Sequence, residues 1–336
     1  MAGQLIFITG ATGFIGAHVV RVALEAGYRV RLSIRKVEQE AALRARYPGN
    51  DSKLETVQIT DFGNPESFKS ALQDVDYVFH IASPMVAPGL VDLQKDYVQP
   101  AVKATLGVLN AALSFPKIKK VAVVSSIVAL QPVDFLLPTS LENDYFTKEN
   151  GNVVIPVDPN ANYGDDLFGQ MKNYSHSKIA AHLATRDFLK EKKPHYDLIT
   201  IHPGYVMGDS MTQKDAAGIE GVNGMFWMSL GMEKPMIGTV WIHVRDVADA
   251  HIKAIQNPVP TGTEIVMHVD QFWWKRAVNY IRKEYPSLDC KIDPGFGGMW
   301  DSDAKAAREL LGMELRSVEQ IIKDTVDQQL ALQAQG

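Results

Sequence analysis

Tyr174 and Lys178 stand four residues apart in the run Tyr174-Ser175-His176-Ser177-Lys178, a spacing that puts both side chains on one face of a helix. A phenol ionises at a pH of about 10 and is a poor acid or base partner at neutral pH, but a neighbouring ammonium favours the phenolate. Lys178 supplies that charge. Ser125-Ser126 closes the apolar run Val121-Ala122-Val123-Val124, and the carboxyl ends of such strands are where ligands bind in open α/β sheets. A tunable phenol and a strand-end hydroxyl together point to proton transfer.

A second group of residues binds rather than reacts. After the apolar run Leu5-Ile6-Phe7-Ile8 come Thr9-Gly10-Ala11-Thr12-Gly13-Phe14-Ile15-Gly16. The glycines fall where a tight turn, close backbone approach to a pyrophosphate and helix-on-strand packing each exclude a side chain. The helix that opens behind them aims its first amides at phosphate. Gly10, Thr12, Gly13, Phe14, Ile15 and Gly16 are therefore expected to form the phosphate turn of a Rossmann fold holding a nicotinamide dinucleotide. The end of the next strand, Arg31-Leu32-Ser33-Ile34-Arg35-Lys36, has no acid until Glu38. An acid there would bind the adenosine ribose hydroxyls, whereas arginine accommodates a 2′-phosphate. Arg35, with Ser33 and Lys36 as helpers, makes NADPH the expected cofactor.

The elements that must position these groups follow from periodicity. Strands are expected near 4–9, 28–34, 54–59, 76–81, 118–125 and 197–202, with helices near 14–26, 37–46, 65–73, 92–114 and 170–192. Six strands with crossovers predict an α/β, doubly wound parallel sheet. Residues 130–168, with Pro132, Pro138, Pro156 and Pro159, read as one long loop of the kind that serves function. Beyond 203 the pattern loosens before a strand near 239–243 and helices near 246–256, 271–284, 303–311 and 316–333. The expected division is a dinucleotide-binding domain of 1–203 plus about 240–258, and a smaller substrate lobe of about 204–239 plus 259–336.

Composition excludes other classes. A hydrophobic share of 46%, a charged share of 22% and a net charge of −5 describe an ordinary globular chain, not a nucleic-acid or anionic-membrane binder. No apolar stretch is long enough to span a bilayer and no secretion signal is visible. The single cysteine, Cys290, excludes an internal disulfide framework. The expected setting is the cytoplasm, with a small molecule as partner.

Taken in order, Thr9 to Gly16, Gly27 to Arg31 leading to Arg35, Val78-Phe79-His80-Ile81-Ala82-Ser83-Pro84, Ser125-Ser126, Tyr174 to Lys178, His202-Pro203-Gly204 and Ile242 to Ala248 resemble the extended short-chain dehydrogenases/reductases. Within them the chain is similar to the dihydroflavonol reductase-like group of plant and fungal carbonyl reductases, over nearly its whole length. The resemblance implies that Ser126 hydrogen-bonds the substrate carbonyl, that Tyr174 donates the proton, and that Lys178 binds the nicotinamide ribose and tunes Tyr174. It also implies that Ala82 and Ser83 line the ribose side of the cofactor, and that the backbone near Pro203 and Val206 meets the carboxamide. Where relatives carry Asp and an apolar residue against adenine, this chain has Gln58-Ile59, which are the expected cofactor contacts there, and Asp61 is expected to start the next helix instead.

Pro84, Phe226 and Trp227 are candidate substrate contacts, the last two from an apolar cluster with Met225, Met228, Met232 and Met236 expected to be mostly core. His176 lies two residues from Tyr174 and faces away from the catalytic stripe. His80, His202 and His243 are expected to pack or bond locally, with no metal site. The implied activity is hydride transfer from NADPH to a ketone or aldehyde of a hydrophobic or aromatic molecule, by a monomer or homodimer. The alternatives are a nucleotide-sugar epimerase or dehydratase retaining NAD, and a dinucleotide-sensing regulator without turnover.

Overall fold

The computed structural model describes residues 3–83, 89–136, 145–151, 153–298 and 300–335 of the 336. The first unit of the sheet is β1 (Leu5–Thr9), α1 (Phe14–Glu25), β2 (Arg29–Ile34), α2 (Gln39–Arg46) and β3 (Leu54–Gln58). β4 (Tyr77–His80), α3 (Gln99–Ala112) and β5 (Lys120–Val124) follow. After β6 (Tyr145–Thr147), the long α4 (Leu167–Lys192) leads to β7 (Asp197–Pro203) and β8 (Tyr205–Met207). The rest is α5 (Gly221–Ser229), β9 (Trp241–His243), α6 (Val244–Gln256), β10 (Glu264–Met267), α7 (Trp274–Glu284), β11 (Trp300–Ser302), α8 (Ala306–Glu309) and α9 (Val318–Gln333).

Seven strands form one sheet in the order β10-β7-β5-β4-β1-β2-β3, every neighbouring pair parallel. β1 and β4 are buried at every residue, the near-continuous apolar character of strands covered on both faces. α1 packs against α6, and α3 against α4. The strand order reverses between β1 and β4, so a crevice opens at the carboxyl ends of those two strands. The glycine turn leaves β1 there, and Ala82-Ser83 leaves β4 beside it. A separate apolar core gathers Met207, Phe226, Trp241, Phe272, Trp274 and Ile321 among others, built from segments after β7.

Several expectations need correction. The sheet has a seventh strand, β10, in a segment expected to belong to the smaller lobe. Its first residue is the buried Glu264, so the run lacks the uniform apolar signature of a core strand. The helix expected over 65–73 shrinks to a single 3-10 turn, Pro65–Phe68. That over 92–114 starts as a π-helical turn, Leu93–Val98, and becomes α-helical from Gln99, with Pro100 in the first turn where its missing N–H does no harm. The long 130–168 loop contains β6, which pairs in parallel with β11. The Gly/Met/Trp-rich segment forms α5, in which Met228 is well exposed, as is Met232 just beyond it, not core as expected.

Candidate active site

At the glycine turn the backbone crosses itself. Gly10 has φ +76°, and a Cβ there would stand 2.7 Å from the Ala82 nitrogen; a Cβ on Gly16 would stand 2.0 Å from the Gly10 carbonyl oxygen. Gly13 is different. It is exposed, its φ is −87°, and the nearest protein atom to a Cβ would be 3.5 Å away, an ordinary contact. Packing does not require a glycine at 13, so the space in front of it is left for something other than protein. α1 begins there with no side-chain cap and no acidic residue in its first turn, which leaves its leading amides free for an anion. Below the turn, the Thr9 hydroxyl oxygen accepts from the Ile81 and Ala82 amides, both at 3.1 Å, and lies 2.9 Å from His80 Nδ1. Burial and the Lys178 charge push the His80 imidazole down to about 3, so the ring is neutral and Thr9 donates to it. This clamp sets Ala82 and Ser83 against the turn.

At the end of β2, Arg35 and Lys36 are exposed, and their amides donate to Gln39 Oε1 at 2.9 and 3.1 Å. The Arg35 guanidinium has no partner among the described residues. By contrast, Arg31 is committed to Glu55 at 2.7 Å and to the carbonyls of Ala71 and Gln73. Ser33, on the same face of the strand as Arg35, is buried. Gln58 donates to the Arg35 carbonyl at 2.9 Å and so steadies the arginine backbone. Two expectations change here. Ile59 is 1% exposed and belongs to the core around Phe7 and Phe68, so its side chain is not a wall for adenine. Asp61 accepts from the Gly63 amide, while Asn64 caps the following turn.

α4 carries the reactive pair. The Asp166 carboxylate caps it by accepting from the Gly169 amide at 2.7 Å, and a left-handed Lys193, φ 45°, ends it. Asn173, Ser175, His176, Ser177, Lys178, His182 and Thr185 are all buried along it, an unusually polar inner surface for a helix. Tyr174 is partly exposed at the crevice, with the Ser126 side chain beside it. Ser126 begins the 3-10 turn Ile127–Leu130 that follows β5. The Lys178 ammonium lies 5.8 Å from the centroid of the Tyr174 ring. Lys178 is 6% exposed, with no acceptor among the described residues, and burial pulls it down to about 8. The expected lowering of the phenol by lysine is not met in this state. Burial dominates and pushes Tyr174 up to about 12, with Ser126 alone acting downward. Tyr174 is thus a protonated phenol, ready to donate. His176 is held by Tyr163 at 3.3 Å, away from this pair.

A dinucleotide fits this cradle on two observations: the open space before Gly13 and uncapped α1, and the buried ammonium of Lys178 waiting for an acceptor. Pro203 ends β7, and Val206 of β8 is buried in a cluster that also receives Phe14 and Ile15 of the turn. Phe226 is fully buried, edge-on to Trp241 at 5.6 Å, and as core it offers nothing to a substrate. Trp227 packs partly exposed beside it. Pro84 lies outside the described residues.

An aromatic wall missed in the sequence stands closer to the chemistry. Tyr174 packs against a cluster with Val128, Phe135, Tyr145, Tyr205 and Trp300. The Phe135 ring lies 4.2 Å from that of Tyr145 and 5.0 Å from that of Trp300. Tyr145 and Trp300 meet only through the β6–β11 pairing, and no periodicity links positions so far apart.

The model of the NAD dependent epimerase/dehydratase family matches residues 6–268. The chain is 35% identical to ketoreductase sphI of Aspergillus fumigatus, over 98% of both chains. The crystal structure of the yeast methylglyoxal/isovaleraldehyde reductase Gre2 complexed with NADPH superposes with a TM-score of 0.83 at 25% identity, covering 99% of this chain and 100% of that one. Alfalfa vestitone reductase shares the fold, with a TM-score of 0.74 at 23% identity over 96% of this chain and 97% of its own.

The two glycines separate binding from folding. Gly13→Ala is expected to cost no more than about 1 kcal/mol of stability, the scale of a lost N-cap, yet to weaken dinucleotide binding at least about tenfold, equivalent to ~1.4 kcal/mol. Gly16→Ala should lower the denaturant midpoint sharply. Urea unfolding and fluorescence titration with NADPH check both.

Proposed function

The chain belongs to the NAD dependent epimerase/dehydratase family of extended short-chain dehydrogenases/reductases, and from that premise we propose that it is an NADPH-dependent reductase of a ketone or aldehyde on a hydrophobic or aromatic small molecule. One observation carries the reading. A protonated phenol, a strand-end hydroxyl and a buried ammonium with no acceptor among the described residues converge beside a phosphate turn. When bound, NADPH supplies the hydride. Gly10, Thr12, Gly13 and Gly16 would hold its pyrophosphate, Arg35 with Ser33 and Lys36 the 2′-phosphate, and Lys178 the nicotinamide ribose. Ala82 and Ser83 would line the same ribose, with the backbone at Pro203 and Val206 beside the carboxamide.

Tyr174 donates its proton to the carbonyl oxygen as negative charge develops, and the Ser126 hydroxyl donates a hydrogen bond to the same oxygen. The aromatic wall excludes water and receives the apolar body of the substrate. Trp227 would extend that surface. The exposed Arg35 guanidinium and the apolar wall favour a reductase over a nucleotide-sugar epimerase, which must hold a second diphosphate. The complete trio favours turnover over dinucleotide sensing alone.

No helix among the described residues is long and apolar enough to cross a membrane. The net charge of −5 and the lone cysteine support a cytoplasmic enzyme that does not act on nucleic acid; the proposed state is a monomer or homodimer.

The test is NADPH and NADH consumption with a panel of hydrophobic aldehydes and ketones. Turnover with NADPH is expected, and Tyr174→Phe should reduce kcat by about two orders of magnitude or more, the range of a lost general acid. Undiminished activity in that variant would refute the mechanism. Arg35→Ala should raise the KM for NADPH about tenfold, roughly 1.4 kcal/mol, with little effect on NADH. An equal effect on both would remove Arg35 from the 2′-phosphate. Finally, kcat/KM for the dinucleotide reports groups of the free enzyme. Lys178 is charged below its value of about 8 and neutral above it. The parameter should therefore fall as pH rises through that value, and the fall should vanish in Lys178→Arg.

A further inference from the structure

Behind Ser126 lies a buried polar group that takes no direct part in the chemistry proposed above. β7 continues past the end of β5, and the Ser125 amide still donates to the Ile201 carbonyl at 2.8 Å. The next β7 residue that would donate toward β5 is Pro203, which has no N–H, so the ladder stops at the Ser125 carbonyl. Beyond it the Ser126 carbonyl accepts from the Ala129 amide at 3.0 Å, and the imidazole of His202 adds a second donor from β7. Its Nδ1 lies 3.1 Å from the Ser126 carbonyl oxygen and its Nε2 lies 2.9 Å from Thr200 Oγ1. A carbonyl only accepts, so Nδ1 carries the proton; Nε2 then accepts from the Thr200 hydroxyl. Burial drives the ring down to about 3, which keeps it neutral.

The ring is also fixed from behind. His202 is 0% exposed and meets the His182 ring edge-on at 4.6 Å. His182 Nε2 is 3.1 Å from Glu264 Oε1, and Arg186 grips both oxygens of that carboxylate at 2.6 and 2.7 Å. Arg186 in turn donates to the Val153 carbonyl at 2.6 Å. The ligand atoms of His182, His202 and Glu264 lie within 4.8 Å of one another. Arg186 occupies the only carboxylate with its own positive charge, so the group reads as an ion-pair scaffold and not as a cation site.

We infer that His202 is a positioning residue for the reaction: its Nδ1–H anchors the Ser126 carbonyl and so fixes where the Ser126 hydroxyl stands beside Tyr174. This rests on the carbonyl-reductase reading. A misplaced hydrogen-bond donor is enough to slow such chemistry, because its effect depends on where the oxyanion forms.

Two substitutions separate the nitrogens. In His202→Asn the amide nitrogen can occupy the Nδ1 position, whereas in His202→Gln it reaches the Nε2 position and leaves the Ser126 carbonyl with the Ala129 amide alone. With NADPH and a carbonyl substrate turned over by the unaltered protein, His202→Asn should keep kcat within about threefold. His202→Gln should lose about tenfold or more, as misplacement predicts, with the KM for NADPH unchanged. Melting temperatures of both variants report folding. On a Ser126→Ala background the difference between Asn and Gln should disappear, since the anchored hydroxyl is gone. Equal kcat in the two variants, or a difference that persists undiminished without the Ser126 hydroxyl, would overturn the inference and leave the reductase reading standing. Absence of turnover in the unaltered protein, with NADPH still bound, would overturn both.

Discussion

A Cβ on Gly16 would stand 2.0 Å from the carbonyl oxygen of Gly10, and the placement of the dinucleotide site follows from that one crowded crossing. α1 can start where it does because two backbones touch without side chains between them. The helix start then fixes the direction of the uncapped amides, and the turn sits where the strand order reverses. Thr9, immediately before the turn, accepts the Ile81 and Ala82 amides, so the exit of β4 is tied to the same point. The adenosine side depends on it as well, since β2 lies alongside β1 in register and ends at the exposed Arg35.

α4 shows the opposite economy. It buries a lysine with no counter-ion among the described residues and raises the tyrosine beside it, an arrangement that disfavours the free protein. Such unsatisfied polar groups belong where a ligand completes them. The same helix is secured elsewhere, by the Asp166 cap and by Arg186 on Glu264. The helix can therefore tolerate the loss at Lys178 because other parts of it are overdetermined. Deep in the protein the charges are matched, and at the crevice they are left open.

What could be read from residue order alone was whatever is local. The glycine turn, the Tyr174/Lys178 spacing, Ser126 at a strand end and the first six strands all express themselves within a few residues. β10 was hidden because its opening residue, Glu264, looks like a surface charge until Arg186, 78 residues away, is placed against it. Phe226 failed as a substrate contact for a related reason: an apolar ring in a Met/Trp-rich run is compatible with a pocket or a core, and only Trp241 packed on it decides. Lysine as a tuner of tyrosine is sound chemistry, but here burial sets both groups, raising Tyr174 and lowering Lys178. The aromatic wall had no local signal whatever.

That wall is hung on different supports from the catalytic pair. Trp300 Nε1 and Gln131 Nε2 both donate to Thr147 Oγ1, at 3.3 and 3.1 Å. Two residues on, the Glu149 carboxylate accepts from the amides of Val266, Lys305 and Ala306 at 2.9, 2.7 and 2.9 Å. It therefore joins the sheet edge at β10 to the start of α8, and Asn150 covers the next edge donor at Glu264. β6 and β11 are thus held by the unpaired edge of the sheet, which they also protect from further pairing. The chemistry, by contrast, is held by α4 and the centre of the sheet. Tyr145 and Trp300 thus hang on the sheet edge, whereas Tyr174, Lys178 and Ser126 are carried by α4 and the end of β5, and the two supports meet where Tyr174 packs against the wall.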